Sequence, residues 1–409
     1  MKKSILFENI VSMFVLRGGE YVISLITIPY LVRALEPEGY GCFVFSQSIA
    51  QYLIIISRYG FGYSGAQAIA LAKNTIEMKE IFSGIIYAEM ILFILSSLIF
   101  FPAFYFLCSD FEVIVLVGIS VVLVMGTSFF PVWFFQGVQK MRYITISNVF
   151  ARTICLIALF LFVHNKEDLR LAVFIQSLPM FISLLVSFII IRIEYGNMFV
   201  RPSVECVKKC LLNGWDFFIS GLASNLYTNT NVVALGALTS PEIVGVYSGA
   251  DKIIRALVGA FTPLTQAVYP HMIRLVKDNK AEANKLFLKL FHISMGMFAL
   301  IGIIIFSFAS IIITMFLGTK FLQSIPIIEW LSFLIPILVG SNLLGVLYLI
   351  PFGYKKEFRK ILFYGAMLNL ITIFPLIYFF QIYGIIFDVY LIESGIFLSM
   401  LLHYKKSIL

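Results

Sequence analysis

Charge is what this sequence has least of. Only 13% of its 409 residues are Asp, Glu, Lys or Arg, about half the share of a typical soluble domain, ~25%. Histidine is scarcer still: His164, His271, His292 and His403 are the whole set. None lies in an HExxH pattern or at any paired metal-ligand spacing, so no zinc hydrolase site is written here. The five cysteines, Cys42, Cys108, Cys155, Cys206 and Cys210, show no metal-type pairing either. Cys206 and Cys210 stand four apart in a charged connection without histidine partners, which reads as ordinary small hydrophobes rather than a metal site. There is no glycine-rich loop leading to Lys-Ser or Lys-Thr, so ATP is not used directly, and no GxSxG nucleophile elbow. Long polar stretches are missing too. The longest, roughly Arg192 to Leu212, is too short for a soluble domain.

What fills the chain instead is apolar. Sixty per cent of the residues are hydrophobic, with 42 Phe and 20 Tyr among them. A soluble core cannot absorb that much apolar surface, so the composition predicts a polytopic membrane protein. Phe fits lipid-facing positions, and Tyr and Trp fit the interfaces. A membrane-crossing helix needs about 20 apolar residues. Twelve stretches qualify, near 10–32, 40–58, 81–107, 113–136, 144–163, 171–192, 213–238, 243–268, 287–317, 326–351, 359–379 and 381–403. Lys2 and Lys3 before the first resemble a signal peptide, but no small-residue cleavage site follows, so it reads as an uncleaved span.

Lys and Arg set the orientation. The termini and the even-numbered connections carry 21 of them, and the odd-numbered connections carry 4, namely Arg33, Lys166, Arg170 and Lys320. Both termini are therefore expected in the cytoplasm. The net charge of +8 is mostly topology. It is no nucleic-acid footprint, because no folded basic domain exists to hold a duplex.

The chain also repeats. Pro37-Glu38-Gly39-Tyr40-Gly41 stands between spans one and two, and Pro241-Glu242-Ile243-Val244-Gly245 between spans seven and eight. Both fit P-E-x-x-G, 204 residues apart. An even number of spans per half gives both halves one orientation, hence a parallel repeat about an axis along the membrane normal. The expected fold is all-α: twelve transmembrane helices in two six-helix lobes, 1–200 and 201–409, around a central cavity.

Five basic residues fall inside spans: Arg17, Arg58, Arg152, Lys252 and Arg255. A charge at mid-bilayer costs at least ~2.5–3.5 kcal/mol and must face protein or water. At 100° per residue, Asn9, Arg17, Glu20, Ser24 and Thr27 share one face of span one. Gln47, Gln51 and Arg58 share one face of span two. On span seven, Ser220, Tyr227, Thr230 and Asn231 share an arc with Asp216. On span eight, Tyr247, Asp251, Arg255 and Thr262 do, with Lys252 beside them. Four striped helices, two per half, most simply line one cavity. Arg17 with Glu20, and Asp251 with Arg255, sit three and four apart, so local neutralisation is a competing reading for each pair. Arg58 has no acid at either spacing, so local pairing cannot explain it. Arg152 lies near a span end, where snorkelling suffices. Glu89, Asp388 and Glu393 receive no role.

Guanidinium groups suit a phosphate-bearing ligand, because they stay charged and bind phosphate oxygens in bidentate fashion. Arg17, Arg58, Arg255 and Lys252 are the candidate diphosphate-binding residues. Ser24, Gln47, Gln51, Tyr227, Asn231 and Tyr247 supply the neutral hydrogen bonds that sugar hydroxyls need. Glu20, Asp216 and Asp251 are candidates for coupling to H⁺ or Na⁺. No metal or other cofactor is expected.

Four stretches then carry a resemblance: IPYLVRALEPEGYGCFVFSQSIAQY (28–52), RYGFGYSGAQAIA (58–70), PVWFFQGVQKM (131–141) and VGVYSGADKII (244–254). In order and placement they resemble the O-antigen flippases (Wzx type) of the polysaccharide-transporter branch of the MOP superfamily, which also holds MATE drug exporters and lipid II flippases. The resemblance covers essentially the whole chain. It implies an alternating-access transporter of undecaprenyl-diphosphate-linked oligosaccharide repeat units in the bacterial cytoplasmic (inner) membrane, working with membrane lipids, a polysaccharide polymerase and a chain-length regulator. It also implies diphosphate-binding arginines on helices one, two and eight, where Arg17, Arg58 and Arg255 stand. Where many relatives carry an acid before the YGF-like segment, this chain carries Arg58. Lipid II flippases usually add two further spans, which argues against that branch. A MATE-like exporter of small molecules and a membrane-embedded polysaccharide polymerase are the competing functions.

Overall fold

The computed structural model describes the backbone of residues 3–108 and 110–408. The side chains of residues 1–17, 20–22, 107, 109, 220, 223–228, 263, 266, 267, 270, 408 and 409 lie outside the described residues. Among the described residues there are helices and turns and no strand. Seven helices among the described residues are long and apolar enough to cross a membrane, or eight if a bent pair, Thr319–Ser332 with Leu334–Leu349, is one span. Two of the seven are themselves double. The first, Ile23–Leu71, contains a non-helical residue, Glu36, at φ 59°, within the helix Lys3–Arg58. Lys355–Ile408 contains another, Gln381, at φ 51°. These breaks fall at the turns expected between spans one and two and between spans eleven and twelve. The striped stretches of the seventh and eighth spans lie in Val204–Leu238 and Pro241–Gly259. Pro241–Gly259, with Glu242, Asp251, Lys252 and Arg255, is not among the apolar seven.

Polar residues at the chain turns start the helices. Asn74 accepts from the backbone N–H of Glu77 at 2.8 Å, and the Glu77 carboxylate accepts from the N–H of Lys73 at 2.8 Å. Asp110, Asn165, Ser240 and Asn279 cap the helices after them in the same manner. Each satisfies donors that a helix start leaves without partners. Gly18 and Gly19 invite a kink in the first span; instead the backbone stays helical through both, and the break comes at Glu36.

The chain divides into two compact units, one of residues 1–35 and 42–225, the other of residues 36–41 and 226–409. The first unit is centred on aromatic rings. Phe82, fully buried, meets Trp133, Phe134 and Phe199 with ring centroids 5.3–5.5 Å apart. Two of the resemblance motifs interlock here. A Cβ at Gly65 would lie 3.1 Å from the Trp133 ring, and one at Gly137 would lie 2.6 Å from Ile69 and 2.9 Å from the Ala66 carbonyl oxygen. The small residue of each motif is the seat for the bulk of the other.

In the second unit the two P-E-x-x-G turns meet. A Cβ on Gly41 would lie 1.7 Å from the Pro241 carbonyl oxygen, and one on Gly245 would lie 1.8 Å from that of Pro37. Residue i touches j' and j touches i', the reciprocity a two-fold relation demands. Lys320 pairs with Glu36, and Phe321 stands edge-on to the buried Tyr40 at 6.4 Å, so the 36–41 turn is anchored within this unit.

Candidate functional site

In the first unit the site begins at Arg58, the last residue of its helix. Tyr59 follows in the left-handed region at φ 52°. Gly60 then approaches the backbone of Gly214 so closely that a Cβ would sit 2.3 Å from its carbonyl oxygen. Phe61, wholly buried, opens the next helix, Phe61–Leu71. This break leaves Arg58 half-buried at a helix end, its Nη2 3.9 Å from where a side chain at Gly62 would begin. The exposed Tyr63 phenol and the carboxyl of Glu89 are the groups that act on it electrostatically. Glu89 belongs to the helix Thr75–Leu107 and has no exposed surface at all. The acid that span two lacks thus comes from span three, far away in sequence.

Gln47 and Gln51, on the same helix as Arg58, are half-buried, and so is Ser24. Arg17, Glu20 and Tyr227 lie outside the described side chains. Asp216 is exposed on Val204–Leu238.

The second unit holds a denser group. On Pro241–Gly259, Arg255 donates from Nε to Asp251 Oδ2 at 2.7 Å, the i,i+4 pair expected from the spacing. The buried Tyr247 and the carboxyl of Glu393 lie in electrostatic range of the same guanidinium. Lys252, exposed, feels both Asp251 and Arg255. A second cluster follows in the same unit. Asn369 Nδ2 donates to Asn231 Oδ1 at 2.9 Å and to Asp388 Oδ2 at 2.6 Å, and Thr372 donates to the other Asp388 oxygen. Asp388 and Asn369 are completely buried. Asp388 and Glu393 drew no role from the sequence because they share no face of their own helix. Asp388 is completed by Asn369 and Thr372 from the partner segment of the same hairpin, which no single-helix projection reveals.

A separate cavity of about 390 Å³ lies in the first unit, among Ser64, Glu77, Glu80, Glu205, Lys209 and Asn213. Three acids against one lysine repel a diphosphate, so it is not the candidate anion site. Cys206 and Cys210 also line it; burial pushes the Cys210 thiol up to about 12 and raises Cys206 as well. Both thiols therefore stay protonated near neutrality. Among the described residues no group of three His, Cys, Asp or Glu side chains is placed to hold a metal ion.

Comparison with known proteins follows the same lines. Residues 6–276 match the family described as "Polysaccharide biosynthesis protein". A protein of Escherichia coli (strain K12) named "Putative O-antigen transporter" is 32% identical over 384 residues, 92% of this chain and 91% of that protein. Among solved structures, the lipid II flippase MurJ in its inward closed conformation aligns with a TM-score of 0.75 at 13% identity, covering 98% of this chain and 87% of that one. An inward-facing multidrug resistance MATE family transporter of the MOP superfamily aligns with a TM-score of 0.64 at 15% identity, over 93% and 96% of the two chains. The fold is that of these transporters, and the chain belongs to the polysaccharide biosynthesis protein family.

Proposed function

We propose that the protein is a flippase that moves undecaprenyl-diphosphate-linked oligosaccharide repeat units, precursors of O-antigen or capsule, from the cytoplasmic to the outer leaflet of the inner membrane. It is a multi-pass membrane transporter and not an enzyme, so the polymerase reading falls. The observation that carries the proposal is the 32% identity, spread over 92% of the chain, to a protein named as an O-antigen transporter. The arginines supply its chemistry. Arg17, Arg58 and Arg255, with Lys252, hold the diphosphate by charge-assisted hydrogen bonds. Ser24, Gln47, Gln51 and Tyr227 meet sugar hydroxyls, and Asn231 and Tyr247, buried in this state, join them when the carrier opens, while the lipid tail stays in the bilayer. Alternating access then exposes the headgroup outside, with both termini in the cytoplasm. Glu20, Asp216 or Asp251 carries H⁺ or Na⁺ on the return of the empty carrier. A polysaccharide polymerase and its chain-length regulator receive the product.

A MATE-like exporter of cationic small molecules would need acids to dominate the site. Here the four candidate ligand-binding groups, Arg17, Arg58, Lys252 and Arg255, are all cations, and Arg58 and Arg255 keep exposed surface while Glu89 is buried, which favours an anionic headgroup. The deciding experiment follows headgroup accessibility in proteoliposomes loaded with a lipid-diphosphate oligosaccharide. Transfer to the opposite leaflet with unchanged glycan length is expected. Absence of transfer, with export of cationic dyes instead, overturns the reading.

A further inference from the structure

The residue that the proposed function leaves unused is Glu89. Its side chain is fully buried among the apolar and aromatic groups of the first unit, beside Ala88 and close to Trp133. The Trp133 Nε1–H is the one neutral donor beside the carboxyl, too poorly aligned for a well-formed hydrogen bond, and no other donor among the described residues meets either oxygen. A buried carboxyl met by no more than one weak donor is costly, and native proteins rarely leave one so poorly satisfied. Arg58 is the cation that acts on it, but no hydrogen bond joins them. The guanidinium instead stands off toward Gly62 and Tyr63, half-buried, at the end of a helix that breaks at Tyr59. One arginine thus has two directions in which to satisfy itself. Inward lies a carboxylate with unmet acceptors. Outward lies the exposed first turn of the helix Phe61–Leu71, at Gly62 and Tyr63, where an anionic ligand can reach it.

We propose that Glu89 is a positioning residue that acts as the internal counter-charge of Arg58: it competes with the ligand diphosphate for the guanidinium and thereby sets how readily the site lets go. The inference rests on Arg58 being a diphosphate-binding residue, as proposed above. When the site is empty, Arg58 turns toward Glu89 and the two neutralise each other, so the return step does not drag an unpaired cation through a low-dielectric interior. When the diphosphate arrives, two phosphate groups outcompete one carboxylate, and Arg58 turns outward. Release is helped by the carboxylate waiting behind.

The test compares full-length wild type with Glu89→Gln, Arg58→Gln, the double variant and Glu89→Asp in nanodiscs, using farnesyl diphosphate as the binding probe. Proteoliposome translocation of a lipid-diphosphate oligosaccharide is the second readout. Glu89→Gln removes the competitor, so binding tightens about tenfold while turnover falls. Arg58→Gln loses most of the affinity, and adding Glu89→Gln to it changes nothing further. A purely structural role for Glu89 would weaken binding and turnover together, so unchanged or weaker binding by a folded Glu89→Gln overturns the inference. Should Glu89→Gln not fold, Glu89→Asp, which keeps the charge but draws it back from Arg58, decides: tighter binding than wild type sustains the idea, and equal or weaker binding sinks it. If wild type binds the probe and Arg58→Gln does not, yet removal of Glu89 leaves affinity alone, only this inference fails. If wild type neither binds nor translocates, the flippase reading fails with it.

Discussion

At the scale of single residues, each arginine is defined by where it finds its negative charge. Arg255 is held by Asp251 on its own helix at 2.7 Å. Arg58 has an answering carboxyl, Glu89, only through the fold. Both guanidinium groups keep part of their surface outside the core, as a phosphate ligand requires. Replacing Arg58 or Arg255 by Ala should reduce surface glycan at least about tenfold at normal protein level. Gel analysis of glycan display alongside an immunoblot checks this, and wild-type display from both variants would refute the phosphate-clamp assignment. The thiols offer a separate check. With Cys210 pushed up to about 12, roughly one molecule in 10⁵ carries its thiolate at pH 7. Maleimide labelling of the folded protein should therefore be very slow at pH 7 and rise about tenfold per pH unit. Mass spectrometry of labelled peptides measures it, and fast labelling of Cys210 at pH 7 would contradict its burial.

At the scale of elements, glycines and caps decide which helices approach which. The crossing of the two P-E-x-x-G turns leaves no room for a methyl group on Gly41 or Gly245. Gly41→Ala and Gly245→Ala should each lower stability by about 3 kcal/mol or more, the upper end of overpacking costs, because the clash is with backbone rather than a side chain that can turn away. Gly18, with nothing within 4 Å of its would-be Cβ among the described residues, is the control. There Ala should be neutral or stabilise by up to ~1 kcal/mol through helix propensity. Thermal melts of the detergent-purified variants separate these outcomes. Asn74→Ala should cost about 1 kcal/mol by removing a helix cap, on the same melts.

At the scale of the whole molecule, the proposed cargo leaves the inside-negative face as an anion. Each negative charge moved outward releases ~2.3 kcal/mol per 100 mV. Translocation in proteoliposomes should therefore speed up under an inside-negative potassium diffusion potential set with valinomycin, and slow when its sign is reversed. A rate indifferent to potential would mean that the loaded carrier moves no net charge.

Much of this protein is legible in one dimension. Membrane residence follows from the 60% hydrophobic content, because no aqueous core can bury so much. The turns at Glu36 and Gln381, the polar helix starts at Asn74 and Ser240, and the Asp251–Arg255 pair are all local. Each depends on neighbours within a few residues, and helical spacing reports such neighbours directly. The repeated P-E-x-x-G pattern is legible for the same reason. What the sequence could not say is what each motif rests against. Gly65 seats Trp133, Gly41 meets Pro241, Asp388 takes its donors from Asn369 and Thr372, and Arg58 faces Glu89. Glu89 looked like a lone acid in a plain span, because a helical projection records which face a residue occupies and not what stands opposite. Charge pairing and backbone contact act over a few ångströms through space. Only the tertiary structure, by folding residues far apart in the chain onto one another, decides which partners come within that range.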